Sequence, residues 1–188
     1  MTPTYSKDIG ARVVLEAAKF VGLTEVRSNS EWDNLDTPTK DAIAAEFKGE
    51  LLRVGWQTGW PYCAAFCEVV WRRAYAGRAE LPDVKSMLTP GCMLTWERAV
   101  EAGFVSRLPL IGSIGIMRKG ATASGHAFIV AGVKDDQLLT IEANTSPEAN
   151  TPEADREGDG VYRKHRQLVF KPTAGLHLLG FVNPCVYV

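Results

Sequence analysis

The hydrophobic pattern of this chain changes period once, near Gly103, and that switch limits the folds open to it. Before it, apolar residues recur every three or four positions, a spacing that lines one face of a helix. After it, they come in short runs rich in β-branched and aromatic residues, which suit strands. Over residues 7–21, Ile9, Val13, Val14, Ala17, Phe20 and Val21 share one face, with Gly22 as a stop. The stretch "TPTKDAIAAEFKGELLRVG" predicts a second helix with Thr37 as cap and Pro38 at the first helical position. Its face is Ile43, Phe47, Leu51 and Val54, and it ends near Gly55. A third helix is expected over residues 62–76, closed by Gly77, and a weaker fourth over residues 92–102, followed by Gly103. The later runs are "IGSIGIM", "HAFIVAGV", "LLTIEAN", "GVYRKHRQLVF" and "LHLLGFVNPCVYV", with "KDDQ" as a hairpin turn and "NTSPEANTPEADREGDG" as a surface loop. Helices first and adjacent strands afterwards give an α+β class, N-terminal helices packed on an antiparallel β-sheet.

The remaining bulk properties narrow the function. A length of 188 residues suits one domain over residues 1–188 with a sizeable core. No apolar run approaches the roughly 20 residues of a membrane span, so no stable membrane association is expected. The net charge of -1 supplies no general attraction to nucleic acid. The start, "MTPTYSKDIGARVV", lacks the basic-then-apolar design of a secretory signal, so synthesis in the cytoplasm and delivery by another route are expected. Cys63, Cys67, Cys92 and Cys185 are scattered, which suggests reduced thiols. The C-x3-C pair and the far-separated His126, His165 and His177 do not have the spacing of a structural zinc site, and no metal is expected.

Chemistry concentrates in "GWPYCAAFCEVVWRRAYAG", residues 59–77. Cys63 stands where Pro61 blocks upstream helix extension, at the positive end of the helix dipole, which favours a thiolate. Cys67 lies one turn deeper among Ala64, Phe66, Val70 and Trp71 and reads as a small core residue. A cysteine nucleophile needs a base and a group that fixes the imidazole tautomer. His126 opens the strand in "SGHAFIVAGV", and Glu142 and Asn144, two apart in "LLTIEANTSP", would come beside it through the hairpin. Either accepts from an imidazole. Trp56, Trp60 and Tyr62 crowd the approach to the thiol, either as aromatic groove walls or as packing beneath the helix start.

In order and spacing, "WPYCAAFCEVVW", "SGHAFIVAGV" and "TIEANTS", with "GDGVYRKHR" after them, resemble the CHAP domains, a papain-like group of cysteine, histidine-dependent amidohydrolases and peptidases. The likeness covers roughly residues 8–170. It departs where "PLIGSIGIM" lacks the family's aspartate and where Ala143 replaces a glycine. The resemblance implies a papain-like fold; with one domain expected from length, no separate wall-binding domain is visible. It implies Cys63 as nucleophile, His126 as general base, Glu142 as the group orienting the histidine and Asn144 as a supporting polar residue. Trp60, Tyr62 and Gln57 are the candidate substrate-binding residues; Gln57, six positions before Cys63 as in papain, is either an oxyanion donor or a loop glutamine. The implied activity is that of a monomeric hydrolase without cofactor, cleaving an amide bond of peptidoglycan as an endopeptidase or N-acetylmuramoyl-L-alanine amidase. Two alternatives stay open: acyl transfer to an amine, as in an amide synthetase, and a non-catalytic or metal-binding module. Phage lysin, tail hydrolase and bacterial enzyme fit equally well.

Overall fold

A computed structural model describes residues 3–33, 38–147 and 158–187 of the chain. The helical half contains α1 (Lys7–Ala18), α2 (Pro38–Arg53), α3 (Cys63–Ala74), α4 (Leu81–Met87) and α5 (Cys92–Glu101). Three short strands are interleaved with them: β1 (Pro3–Tyr5), β2 (Thr24–Arg27) and β3 (Glu31–Asp33). The strand half contains β4 (Val105–Ser106), β5 (Ile114–Lys119), β6 (Gly125–Lys134), β7 (Gln137–Thr145), β8 (Gly160–Gln167), β9 (Leu176–Val182) and β10 (Cys185–Tyr187). Eight strands form one antiparallel sheet in the order β3-β2-β8-β7-β6-β5-β9-β4, and β1 pairs with β10 in a separate two-stranded ribbon. The fold is α+β, and none of its described helices is long and apolar enough to cross a membrane.

Local chemistry accounts for the elements. Ser6 accepts from the Ile9 N–H and caps α1. Helix α1 stops at Ala18, three residues short of the expected end, and Lys19, Phe20 and Val21 follow in tighter turns before Gly22 at φ 92°. Pro38 opens α2 as expected, whereas the expected cap Thr37 lies outside the described residues, as does most of the acidic loop, residues 148–157. The turn between β6 and β7 is Asp135-Asp136, with Asp135 at φ 54°, the left-handed backbone that two-residue hairpins favour. The last apolar run does not form one strand. It breaks at Asn183-Pro184 into β9, in the large sheet, and β10, which pairs with β1.

Four helices ahead of the first strand were expected; α4 and β1 to β3 correct this. The strands are three or four residues long, too short to show alternation; β2 and β1 take distant partners, Thr24 pairing with Gly160 and Thr4 with Val186, and β3 pairs with β2.

Helix α3 is buried on nearly every side and packs on α1, β6 and β7. One apolar cluster runs from Ile9, Val13 and Phe20 through Phe47, Phe66, Val70 and Trp71 to Ile114, Ile129, Ile141 and Val161 of the sheet. A smaller cluster of Phe128, Val130, Leu138, Leu178 and Phe181 covers a second side of the sheet. The first cluster pins the start of α3 against the middle strands, so the thiol and the histidine meet.

Candidate active site

Cys63 is the first residue of α3, after Pro61 and Tyr62. The helix start has no capping side chain of its own. Asn144 supplies a bond from the sheet instead: its Oδ1 accepts from the Tyr62 N–H at 3.1 Å. Asn144 sits at φ 57°, where the pairing of β7 with β8 shifts register, so the strand bulges and its side chain is re-aimed at the helix.

Across the sheet, Glu142 pairs with Phe128, two residues along from His126, which makes Glu142 and His126 diagonal neighbours. Glu142 Oε2 lies 2.9 Å from His126 Nε2, and both side chains are fully buried. Arg166, on β8, donates from Nε to Oε1 and from Nη2 to Oε2 of Glu142, each at 2.6 Å. The Thr140 hydroxyl donates to Oε1 at 2.5 Å. The carboxylate is thus fully bonded in the protein interior, and the imidazole ring is fixed with Nε2 toward it. The other ring nitrogen, Nδ1, is buried without a hydrogen-bond partner, and the imidazole and the Cys63 thiol lie close enough to shift each other's pKa.

A second thiol completes the group. Cys92 opens α5, and its Sγ lies 3.6 Å from Cys63 Sγ. All four cysteines are free. The Cys92 hydrogen bond, helped by His126, holds the Cys63 thiol well below its ordinary pKa despite burial. The same contact, with burial, pushes Cys92 up, and burial pushes Cys67 up. Burial alone would lower His126, but Cys63 and Glu142 overcome it and raise it to about 9. Burial opposes the ionised form of Glu142, yet Arg166 and His126 hold its carboxyl well below the usual carboxylate range. The site therefore favours a Cys63 thiolate facing a His126 imidazolium at neutral pH.

A cavity of 380 Å³ opens over the sulfurs, lined by Trp60, Pro61, Cys63, Pro90, Cys92 and Leu94, with Gly55, Gly91 and Gly125 among the remaining residues. None of its lining residues is charged. Trp60 and Leu94 are 47% and 46% exposed, so they stand at its rim.

Of the expected residues, the fold gathers Cys63, His126 and Glu142 into one chain, places Asn144 behind the helix start and puts Trp60 in the wall. Tyr62 is corrected. Its ring is fully buried, 5.0 Å from Trp32 and 5.9 Å from Phe47, and so supports the helix start from below. Trp56 is also buried, and its Nε1 donates to the Trp60 carbonyl at 2.8 Å, which steadies the loop bearing Trp60. Gln57 is exposed and does not line the cavity, in keeping with the loop-glutamine alternative. Gly55 and Gly59, at φ 88° and 91°, bend its loop, and its carbonyl accepts from the Trp60 N–H. Cys92, Arg166 and Thr140 were not anticipated. Cys92 stands at a helix start like Cys63, a usable signal; Arg166 sits in the alternating "YRKHRQ", which does not distinguish it from Arg163. Among the described residues, no group of three or more His, Cys, Asp or Glu is placed to hold a metal ion. Comparison with family models, curated proteins and solved structures finds no match for the chain.

Proposed function

We propose that the protein is a cysteine amidohydrolase of the CHAP type, with a papain-like arrangement of nucleophile helix and histidine strand, acting on an amide bond of peptidoglycan. The observation that carries this reading is the buried sequence of side chains Cys63, His126, Glu142 and Arg166 ending at an uncharged cavity. The Cys63 thiolate attacks the carbonyl carbon, and free N–H groups at the start of α3 stabilise the oxyanion. His126 gives its proton to the amide nitrogen; the C–N bond breaks, and the amine leaves behind a thioester. The neutral imidazole then takes a proton from water as the water oxygen attacks the thioester carbon. The acid departs, the thiolate returns, and the imidazolium is restored. Glu142 stays ionised throughout, held by Arg166, and stabilises the imidazolium.

The substrate follows from the resemblance and is compatible with a neutral cavity that takes a small, uncharged acyl group. The test is incubation with peptidoglycan of defined peptide composition, followed by mass spectrometry of the products. Wild-type protein is expected to release one new amine and one new carboxyl terminus, and Cys63→Ala none. Absence of new termini with the wild type, or their persistence in Cys63→Ala, overturns the reading. Products extended by an added amine in place of free acid identify acyl transfer.

A further inference from the structure

The hydrolytic cycle uses one sulfur, and the site holds two. Cys63 and Cys92 are the first residues of α3 and α5, with their sulfurs 3.6 Å apart. Both line the same cavity, at 4% and 8% exposure, so a small solute that reaches one reaches the other. Cys67, one turn further along α3, is not part of that lining. A disulfide needs sulfurs about 2.0 Å apart, so closure requires a shift of roughly 1.5 Å, on the scale of a side-chain rotation.

We propose that Cys63 and Cys92 form an oxidisable dithiol, a modification site at which hydrogen peroxide converts the nucleophile into a Cys63–Cys92 disulfide and shuts the site until a dithiol reductant reopens it. The Cys63 thiolate attacks one peroxide oxygen and the O–O bond breaks. The departing hydroxide takes the His126 proton and leaves as water, giving a sulfenic acid on Cys63. The Cys92 sulfur, losing its proton, attacks the sulfenic sulfur; the S–O bond breaks, and the hydroxide takes that proton as a second water. Two thiols are oxidised by two electrons, and one peroxide is reduced to two waters. The depressed pKa of Cys63 makes it the attacking sulfur, and the adjacent Cys92 intercepts the sulfenic acid before further oxidation. The arrangement thereby protects the nucleophile from irreversible loss.

The loss of activity in this proposal rests on the hydrolytic reading; the disulfide itself does not. The experiment treats the full chain with hydrogen peroxide, alkylates the remaining thiols, and maps the digested protein by mass spectrometry. Hydrolysis is measured before treatment, after it, and after dithiothreitol. The expected map joins the Cys63 and Cys92 peptides and leaves Cys67 and Cys185 alkylated. Hydrolysis is expected to fall by at least about tenfold with the nucleophile blocked and to recover on reduction. In Cys92→Ser, Cys63 is expected to reach the sulfinic acid, with no recovery. A Cys63 that reaches sulfinic acid in the wild type, a cross-link to Cys67 or Cys185, or full recovery in Cys92→Ser overturns the proposal. If Cys92→Ser does not fold, the wild-type map decides alone. If untreated protein hydrolyses nothing, the map still decides the dithiol, and the hydrolytic reading falls separately.

Discussion

Cys63 and Cys67 are chemically identical and four residues apart, yet their surroundings give them opposite behaviour. Cys63 sits at the helix start with a thiol donor and an imidazole beside it, whereas Cys67 is 1% exposed and pushed toward the neutral thiol by burial. Cys63→Ala is expected to abolish hydrolysis with the fold intact, and Cys67→Ala to cost roughly 1 to 2 kcal/mol of stability while leaving hydrolysis in place, read by urea unfolding and product release. The third position is decided by charge. Glu142→Gln should lower kcat by at least about tenfold, because an amide stabilises imidazolium poorly. Asn144→Ala should be milder on kcat and should instead cost stability of about 1 to 3 kcal/mol, since it leaves the buried Tyr62 N–H without its acceptor. A larger kcat loss in Asn144→Ala, measured at equal folding by circular dichroism, would assign the orienting role to the amide. The pH profile adds an independent check. Activity that needs protonated His126 should fall on the alkaline side with a midpoint of about 9. Glu142 is one of the groups that raises this pKa, so its removal should move the midpoint to lower pH.

At the scale of elements, the site is a junction of three: the start of α3, the first residues of β6 and the β7–β8 ladder. Strand β8 contributes the Arg166 side chain to it, through a doubly bonded contact to a carboxylate that is fully buried. Removing that guanidinium leaves a buried charge with fewer partners, which is costly even where the intact pair contributes little. Arg166→Met is therefore expected to lose about 3 to 5 kcal/mol in denaturant unfolding. Its kcat should fall as well, because a less firmly ionised Glu142 stabilises imidazolium less. Arg166→Lys, which keeps charge without the planar fork, should restore part of both. Unfolding free energy that is unchanged in Arg166→Met would show that the ladder holds Glu142 without it.

At the scale of the molecule, one continuous apolar cluster joins the helical half to the sheet, and the site lies where they meet. The two halves should therefore unfold together, in a single calorimetric transition with equal calorimetric and van't Hoff enthalpies. Two separable transitions would mean that the helices and the sheet are independent units. The proposed reaction needs a thiolate and an imidazole and no Lewis acid, so the purified protein should keep its hydrolysis in a chelator. Complete loss restored only by zinc would replace the thiol mechanism with a metal site.

The sequence by itself determined the class of fold, because the change of hydrophobic period decides which segments bury a helical face and which bury a strand face. It also pointed to Cys63, His126 and Glu142, since a helix start after proline and a pair of hairpin strands are local features. Tertiary structure decided what depends on distant partners: the short strands β1, which pairs with β10, and β2, which joins β3 to β8, and the burial of Tyr62 among Trp32 and Phe47. It also brought Cys92 to within 3.6 Å of Cys63 and set Arg166 on Glu142, contacts across 29 and 24 residues that no local pattern encodes. Periodicity reports which face of an element meets the core; which side chain waits there is settled only when the elements pack.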